Sequence, residues 1–174
     1  PGGLPEAAGR GMNEELDETP ASARLVELGI ALPAVPTPVA AYLPALASSG
    51  QVFTAGQLPF VDGKLTDTGK VGAAVTPERA AELARIAALN AVAAAASVVG
   101  GVDGIRRVVK MTVFVASDPS FTGQAGVANG ASELLQQVFG PRGTHARSAV
   151  GMAVLPLDSP VEVELIVEAS AASF

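Results

Sequence analysis

The sequence has 174 residues, which is the size of a single ordinary domain, and carries a net charge of −6 at neutral pH. Hydrophobic residues make up 49% and charged residues 16% of the chain, a balance that excludes an intrinsically disordered protein. Eleven Lys and Arg against seventeen Asp and Glu make no basic stripe, and there is no Trp, so we expect no nucleic-acid partner. The chain has no Cys and one His, which excludes disulfides and disfavours a metal centre.

The sequence was searched for membrane and export signals and for domain boundaries. No apolar run reaches the roughly 18 residues of a membrane span, and the first eleven residues do not have the pattern of a signal peptide. We therefore expect a cytoplasmic protein that has no membrane partner. Residues 1–11 are expected to be a leader left over from expression, with Met12 as the native start. Residues 12–41 are expected to form an N-terminal extension and a proline-rich connector, and residues 42–174 the folded domain.

The first elements are predicted from local patterns. The segment SARLVELGI can form two helical turns that end at Gly29, and four prolines within 32–44 predict an extended connector leading to Tyr42. The alternating run QVFTAG predicts a strand over 51–56. The pair Asp62-Gly63 that follows is a turn signal.

The remaining elements alternate between helices and strands. A helix is predicted from its cap at Thr76 to the stop at Gly100-Gly101, and a second helix over roughly 127–139. Strands are predicted over 106–117, 146–155 and 161–169. In the first of these, one face carries Val109, Met111, Val113 and Val115. The order β, α, β, α, β, β predicts an α+β fold with a single mixed β-sheet and two helices packed on one face.

Five segments between Tyr42 and Ala169 carry a specific combination of motifs. They are SSGQVFTAGQLPFVDGKL, ALNAV, KMTVFVAS, HARSAVGMAVLPLD and PVEVELIVEA. Together they resemble the RidA/YjgF-like reactive-intermediate deaminases, a family also named endoribonuclease L-PSP. The resemblance implies a chorismate-mutase-like fold assembled as a homotrimer with clefts between subunits. It also implies hydrolysis of enamines and imines, such as 2-aminoacrylate, to 2-keto acids and ammonia, without a cofactor.

The resemblance also implies roles for individual residues. Arg147 matches the arginine that binds the substrate carboxylate, and Glu162 matches the glutamate that positions or activates water. Tyr42 matches the tyrosine before the first strand pair. Gly56 matches the glycine whose backbone lies against the ligand.

Two further positions follow from the same resemblance. Asn129 matches the asparagine at the start of the second helix. Ala149 stands where the family often has Cys, so that only its backbone N–H could bind an anion, and Ala55 stands where a Ser is frequent. These two departures leave the carboxylate-binding arginine intact.

The residues themselves, without the family, leave alternatives open. Arg147 lies among small residues, which suits a concave carboxylate site, or it is a surface arginine paired with an acid. The face carrying Val150 and Met152 is the more apolar and is expected to be the core face of its strand. Glu162 is one of three carboxylates on a strand face that is usually solvated, and in a cleft it would have a raised pKa. His145 is expected to be a surface histidine rather than a general base.

The position of the two charged candidates predicts where the site lies. If the last two strands pair antiparallel around LPLDSP, Arg147 lies opposite a residue near Glu168. Glu162 is then about 20 Å away on the same chain, so we expect a site between subunits. Two other functions stay open: a non-catalytic trimer that binds a keto acid, and a ribonuclease, which the acidic charge and the single His disfavour.

Overall fold

The computed structural model describes residues 19–35 and 41–170. Within them the helices and strands are, in chain order, α1 (Ala21–Glu27), β1 (Ala45–Ser48), β2 (Gln51–Thr54), β3 (Phe60–Val61), β4 (Lys64–Leu65), α2 (Pro77–Ser97), β5 (Ile105–Ala116), α3 (Gln124–Phe139), β6 (Ala146–Met152) and β7 (Val161–Ala169). The predicted helices and the three long strands are confirmed, with α3 one turn longer at its start. The predicted connector over 32–44 lies partly outside the described residues, and β1, which follows it, was not predicted.

Five strands form the main sheet, in the order β1-β2-β7-β5-β6. All neighbouring pairs are antiparallel except β5 and β6, which are parallel. The α+β class and the mixed sheet are therefore confirmed. The sheet is not the single one predicted, because β3 and β4 form a separate two-stranded sheet around the turn Asp62-Gly63. Both turn residues have positive φ, 50° and 75°, as the Asp-Gly signal predicts.

The helices α2 and α3 pack together on one face of the sheet, as predicted. The cap of α2 is Thr76, whose Oγ1 accepts a hydrogen bond from the Arg79 backbone N–H at 3.2 Å. Small residues let the two helices approach closely: the alanines of α2 are largely buried, and a Cβ on Gly130 of α3 would collide with the Ala81 carbonyl. The contact holds α3, and the side chains that it points toward β6, at a defined height above the sheet.

One helix in the described part of the chain, α2, is long and apolar enough to cross a membrane by length and composition. Of its most apolar stretch, 61% is buried inside the fold. Burial of this kind is also typical of the central helix of a globular domain.

A β-bulge in β5 overturns the predicted assignment of its faces. The register with β7 shifts between Val108 and Lys110, so an extra residue stands in β5 at that point. Val108 is consequently buried on the same side as Met111, and Val109 is only half-buried. The predicted alternation fails there because a bulge inverts the faces of the residues on one side of it.

The predicted core face of β6 is wrong. Because β6 pairs in parallel with β5, Arg147 lies beside Met111 and Ala149 beside Val113, on the side of the sheet that the helices cover. The apolar residues of β6 lie on the opposite side, which we call the helix-free face. Its exposed apolar residues in the sheet are Leu46, Phe53, Val150 and Met152.

The predicted pairing of the last two strands is also wrong, since β5 lies between β6 and β7. Across β5, Arg147 is in register with Leu165 and not with Glu168, and Glu162 is in register with Val150. The LPLDSP segment is a crossing loop rather than a tight hairpin. Its two residues with positive φ, Leu157 and Asp158, turn the chain past the end of β5.

Candidate functional site

The guanidinium of Arg147 is held at one end by two residues of α3. Its Nη1 donates to Asn129 Oδ1 at 2.8 Å and to Ser132 Oγ at 3.1 Å. Both acceptors lie on the same face of α3, because residues three apart on a helix are neighbours on its surface. In the part of the chain that the structure describes, Nε and Nη2 have no hydrogen-bond partner. One edge of the guanidinium is therefore free to bind a carboxylate through two parallel hydrogen bonds.

The hydrogen-bond chain continues from Ser132 to a histidine. His145 Nε2 lies 3.1 Å from Ser132 Oγ, and His145 Nδ1 lies 2.6 Å from the carbonyl oxygen of Gly143. Since a carbonyl oxygen can only accept a hydrogen bond, Nδ1 carries the ring proton and donates a hydrogen bond to the Gly143 carbonyl oxygen. His145 is half-buried and hydrogen-bonded, and not the surface histidine that was expected.

These side chains line an open cleft of about 300 Å³ between α3 and the start of β6. Every residue that lines it has a polar or charged side chain: Asn129, Ser132, Glu133, Gln136, Thr144, His145 and Arg147. Arg147 itself is exposed, so a small anion can reach it from solvent. The cleft can bind a small carboxylate, and no group of three His, Asp or Glu that could hold a metal ion occurs among the described residues.

The other acidic candidate, Glu162, lies on the helix-free face of β7 and is half-buried. Its carboxylate lies against Gly56, so closely that a Cβ at this position would collide with Oε1. No hydrogen-bond donor among the described residues reaches the carboxylate. Burial raises the pKa of Glu162, and the nearby charge of Glu164 raises it further. A carboxyl group in such surroundings is a better proton acceptor than an ordinary one once it is ionised.

Arg147 and Glu162 do not meet within one chain. Their side chains leave the sheet on opposite faces, and their strands are separated by β5. The register separates the two Cα atoms by three residues along the strands and by two interstrand spacings across them. Together these offsets amount to a distance of about 14 Å. The two residues are therefore apart in one chain, as expected, but the predicted distance of about 20 Å and the strand pairing from which it was derived are both wrong.

The remaining candidates fall into the same two groups. Asn129 and Ala149 lie with Arg147 on the helix-covered side, and Ala149 packs against the core. Gly56 lies with Glu162. Tyr42 is 63% exposed, three residues before β1, and no hydrogen bond joins it to another candidate in the described chain.

Ser132 was missed by sequence reasoning, and its role as an acceptor for Arg147 emerges only from the structure. The one signal for it is its spacing, since it lies three residues after Asn129 on the same helix. That spacing places Ser132 beside a residue already singled out. It does not reveal which side chain of β6 the pair faces.

Comparisons with known proteins agree on one family. A family model described as "YjgF/chorismate_mutase-like, putative endoribonuclease" matches residues 22–169. A Trypanosoma cruzi protein named TCP17 is 45% identical over 148 residues, which are 84% of this chain and 92% of that protein.

Solved structures agree with the family model. Protein Atu1372 of unknown function from Agrobacterium tumefaciens is 43% identical with a TM-score of 0.79, over 86% of this chain and 92% of that one. Escherichia coli TdcF, crystallised with bound serine, is 25% identical with a TM-score of 0.54, over 78% and 94% of the two chains. The fold and the matched length together place this chain in the RidA/YjgF family, whose members share the YjgF/chorismate-mutase-like fold.

Proposed function

We propose that this protein hydrolyses reactive 2-imino acids, formed from enamines such as 2-aminoacrylate, to 2-keto acids and ammonia. One observation carries the proposal. An arginine and a half-buried glutamate lie on opposite faces of the same sheet, and no hydrogen-bond partner among residues 19–35 and 41–170 occupies the outer edge of the guanidinium or the carboxylate. The two groups are those that the reaction needs, one to hold the substrate and one to accept a proton from water. Because the two groups are separated within one chain, the proposal places each site between two chains.

The proposed assembly is a homotrimer, as the family resemblance implies. The helix-free face supports an assembly, because Leu46 is 57% exposed and Phe53 and Val150 are each 41% exposed in the single chain. Grouped apolar side chains on a surface are typical of protein–protein interfaces. Packing this face against a neighbouring chain would bury them and would bring Glu162 of one chain toward the Arg147 cleft of another.

The first part of the proposed mechanism is binding. The substrate carboxylate accepts hydrogen bonds from the free edge of Arg147, and the amide of Asn129, whose Oδ1 faces Arg147, keeps its N–H donors for the ligand. The absence of a side chain on Gly56 lets the Glu162 carboxylate lie against the backbone there. Ala149 could contribute only its backbone N–H to the ligand. Escherichia coli TdcF binds serine, an amino acid of similar size, which supports a small carboxylate ligand here.

The second part is hydrolysis. Protonation of the enamine methylene carbon gives an iminium ion, whose C2 is electrophilic. Glu162 accepts a proton from water as the water oxygen bonds to C2, which gives a carbinolamine. The nitrogen takes up a proton and leaves as ammonia while the hydroxyl oxygen loses its proton and forms the keto group. Orientation by Arg147 and proton acceptance by Glu162 supply the acceleration.

Ribonuclease activity, which the name of the matching family model suggests, is less well supported. The chain carries a net charge of −6, and binding to RNA gains most of its free energy from neutralising phosphates. A keto-acid-binding protein without turnover would use the same Arg147 cleft. An assay of turnover separates this alternative from the deaminase.

The first test generates 2-aminoacrylate in situ and follows release of the keto acid. We expect wild-type protein to accelerate release and Arg147→Ala to lose the acceleration. Carboxylate binding without acceleration in the wild type would instead support the binding protein. Acceleration that survives in Arg147→Ala would contradict the role of Arg147.

The second test addresses the site between chains. Arg147→Ala and Glu162→Ala chains, each inactive alone, are unfolded together and refolded as a mixture. In a closed ring of three chains, random mixing restores about a quarter of the sites, since each mixed trimer contains one intact pair. No recovery, with mixed trimers verified by mass spectrometry, would overturn the shared site.

A further inference from the structure

We propose that Ser132 and His145 act as a pair of positioning residues that fix the orientation of the Arg147 guanidinium. The inference rests on the proposed function, in which Arg147 binds the substrate carboxylate. The pair does not touch the reacting atoms. Its effect is to hold the free edge of Arg147 in the direction from which the carboxylate arrives.

Ser132 can accept from Arg147 reliably only if its own proton is directed elsewhere. A serine hydroxyl has one proton and two lone pairs, and the proton rotates to suit its surroundings. With Arg147 Nη1 at 3.1 Å on one side, the proton points toward His145 Nε2, also at 3.1 Å. His145 therefore keeps a lone pair of Ser132 turned toward Arg147.

His145 Nε2 can accept a hydrogen bond from the Ser132 hydroxyl because the other ring nitrogen, Nδ1, already carries the ring proton. Nδ1 donates to the Gly143 carbonyl at 2.6 Å, which leaves Nε2 as the acceptor in the neutral ring. Gly143 is itself buried, and a Cβ there would collide with the Leu135 carbonyl. The tautomer of His145 is thus set by a backbone group that the fold holds firmly.

The consequence for Arg147 is a loss of freedom before the substrate binds. An exposed arginine has several rotatable bonds, and fixing them on binding reduces affinity. Asn129 and Ser132 together hold Nη1, so the guanidinium plane is set and Nε and Nη2 point away from α3. Pre-orientation of this kind strengthens binding and leaves the chemical step unchanged.

The first experiment needs no substrate. His145 is the only histidine in the sequence, so a long-range ¹H–¹⁵N spectrum reports its tautomer without assignment. At mildly alkaline pH, where an ordinary imidazole is neutral, we expect the Nδ1–H form in the wild type. A dominant Nε2–H form would overturn the inference, because Nε2 would then donate to Ser132 rather than accept from it.

The second experiment measures the affinity for pyruvate and the steady-state kinetics with 2-aminoacrylate. We expect Ser132→Ala and His145→Ala each to raise Kd and KM about tenfold, with kcat changed less than about twofold. His145→Gln, whose amide can accept at the Nε2 position, should recover part of the loss. The matched control is Ser97→Ala, since the Ser97 hydroxyl donates to the Ala94 carbonyl of its own helix and has no other partner in the described part of the chain.

The double variant Ser132→Ala/His145→Ala separates positioning from independent effects. If His145 acts through Ser132, the double variant is no worse than Ser132→Ala alone. Additive losses, or a fall in kcat with KM unchanged, would overturn the inference while leaving the proposed function intact. A wild type that neither binds pyruvate nor accelerates its release would instead overturn the proposed function, and the inference with it.

Discussion

The Glu162 carboxylate lies directly against the backbone of Gly56, and the two residues form one half of the proposed site. Any side chain at position 56 would displace the carboxylate. The Glu162 carboxylate occupies the space where a Cβ on Gly56 would lie. Gly56 does not have a positive φ, so its backbone conformation is open to other residues. What requires glycine here is the close approach of the acid.

Replacing Gly56 with alanine should therefore damage activity more than stability. The new methyl group displaces the Glu162 carboxylate, and a shift of about 1 Å in a catalytic group can reduce kcat/KM about a hundredfold. Because Gly56 is exposed, we expect the free energy of unfolding to change by less than about 1 kcal/mol. The control is Gly126→Ala, a glycine on α3 with open space around it. Normal activity in Gly56→Ala would show that the position of Glu162 is not critical.

Glu162→Gln is expected to stabilise the protein while it removes activity. A raised pKa means that the folded chain binds this proton more tightly than the unfolded chain, so stability falls as pH rises through the range between the two pKa values. At neutral pH the ionised Glu162 is therefore destabilising, and glutamine relieves this effect. Thermal unfolding at pH 7 should show a higher midpoint for Glu162→Gln than for wild type. The exposed Glu27→Gln serves as the charge-matched control, and a lower midpoint for Glu162→Gln would contradict the expectation.

Glu164 offers a way to move the pH profile without touching the reacting atoms. Its charge is the second cause, after burial, of the raised pKa of Glu162. In Glu164→Gln that pKa falls toward its ordinary range, so the acidic limb of kcat/KM should move to lower pH. The limb should not reach the position of an exposed glutamate, since burial remains. An unmoved limb would show that a group other than Glu162 sets the profile.

Elements with local signals were predicted, and those that depend on distant partners were not. The cap Thr76 and the glycines after α2 identify this helix from neighbouring residues alone. The bulge at Val108 could not be predicted, because two adjacent valines fit either face of a strand. The parallel pairing of β6 with β5 depends on contacts made far along the chain.

The candidate site shows the same division. Arg147 and Glu162 were named from the family motif, and a separation along paired strands was expected. Their placement on opposite faces of the sheet was not predicted. Of the two residues that hold the Arg147 guanidinium, Asn129 was also named from the motif, whereas Ser132 was not. The contact of Ser132 with Arg147 depends on how α3 lies over β6, and the close approach of α3 to α2 at Gly130 is part of that placement. No pattern within α3 reports that distance.

Arg147→Lys is expected to behave almost like Arg147→Ala. Lysine keeps the charge but presents a single ammonium group, which cannot form two parallel hydrogen bonds with a carboxylate. If it keeps its hydrogen bonds to Asn129 and Ser132, the ammonium has one N–H left for the ligand. We expect KM for 2-aminoacrylate to rise at least about tenfold. Binding of pyruvate, measured by calorimetry, checks the same point, and wild-type affinity in the lysine variant would exclude bidentate binding.

Gly130→Ala tests the close packing of the helices. The added Cβ would lie 2.7 Å from the Ala81 carbonyl carbon, so α2 and α3 must move apart. Overpacking of this kind lowers the free energy of unfolding by about 1–3 kcal/mol. Denaturant unfolding measures the change, and Gly126→Ala, on the same helix, should be neutral or slightly stabilising. An unchanged midpoint for Gly130→Ala would show that the helices can separate freely.

The sheet order has a consequence for how the chain is made. β7 follows all the other described strands in sequence, yet it lies between β2 and β5. A nascent chain that has not reached Val161 contains β1–β2 and β5–β6 as two fragments with no strand to join them. The sheet therefore closes only when β7 has left the ribosome, and protease sensitivity of ribosome-bound chains would check this order. A product that ends before β7 lacks the strand that joins the two fragments, so premature termination yields an unfolded chain rather than a partly working protein.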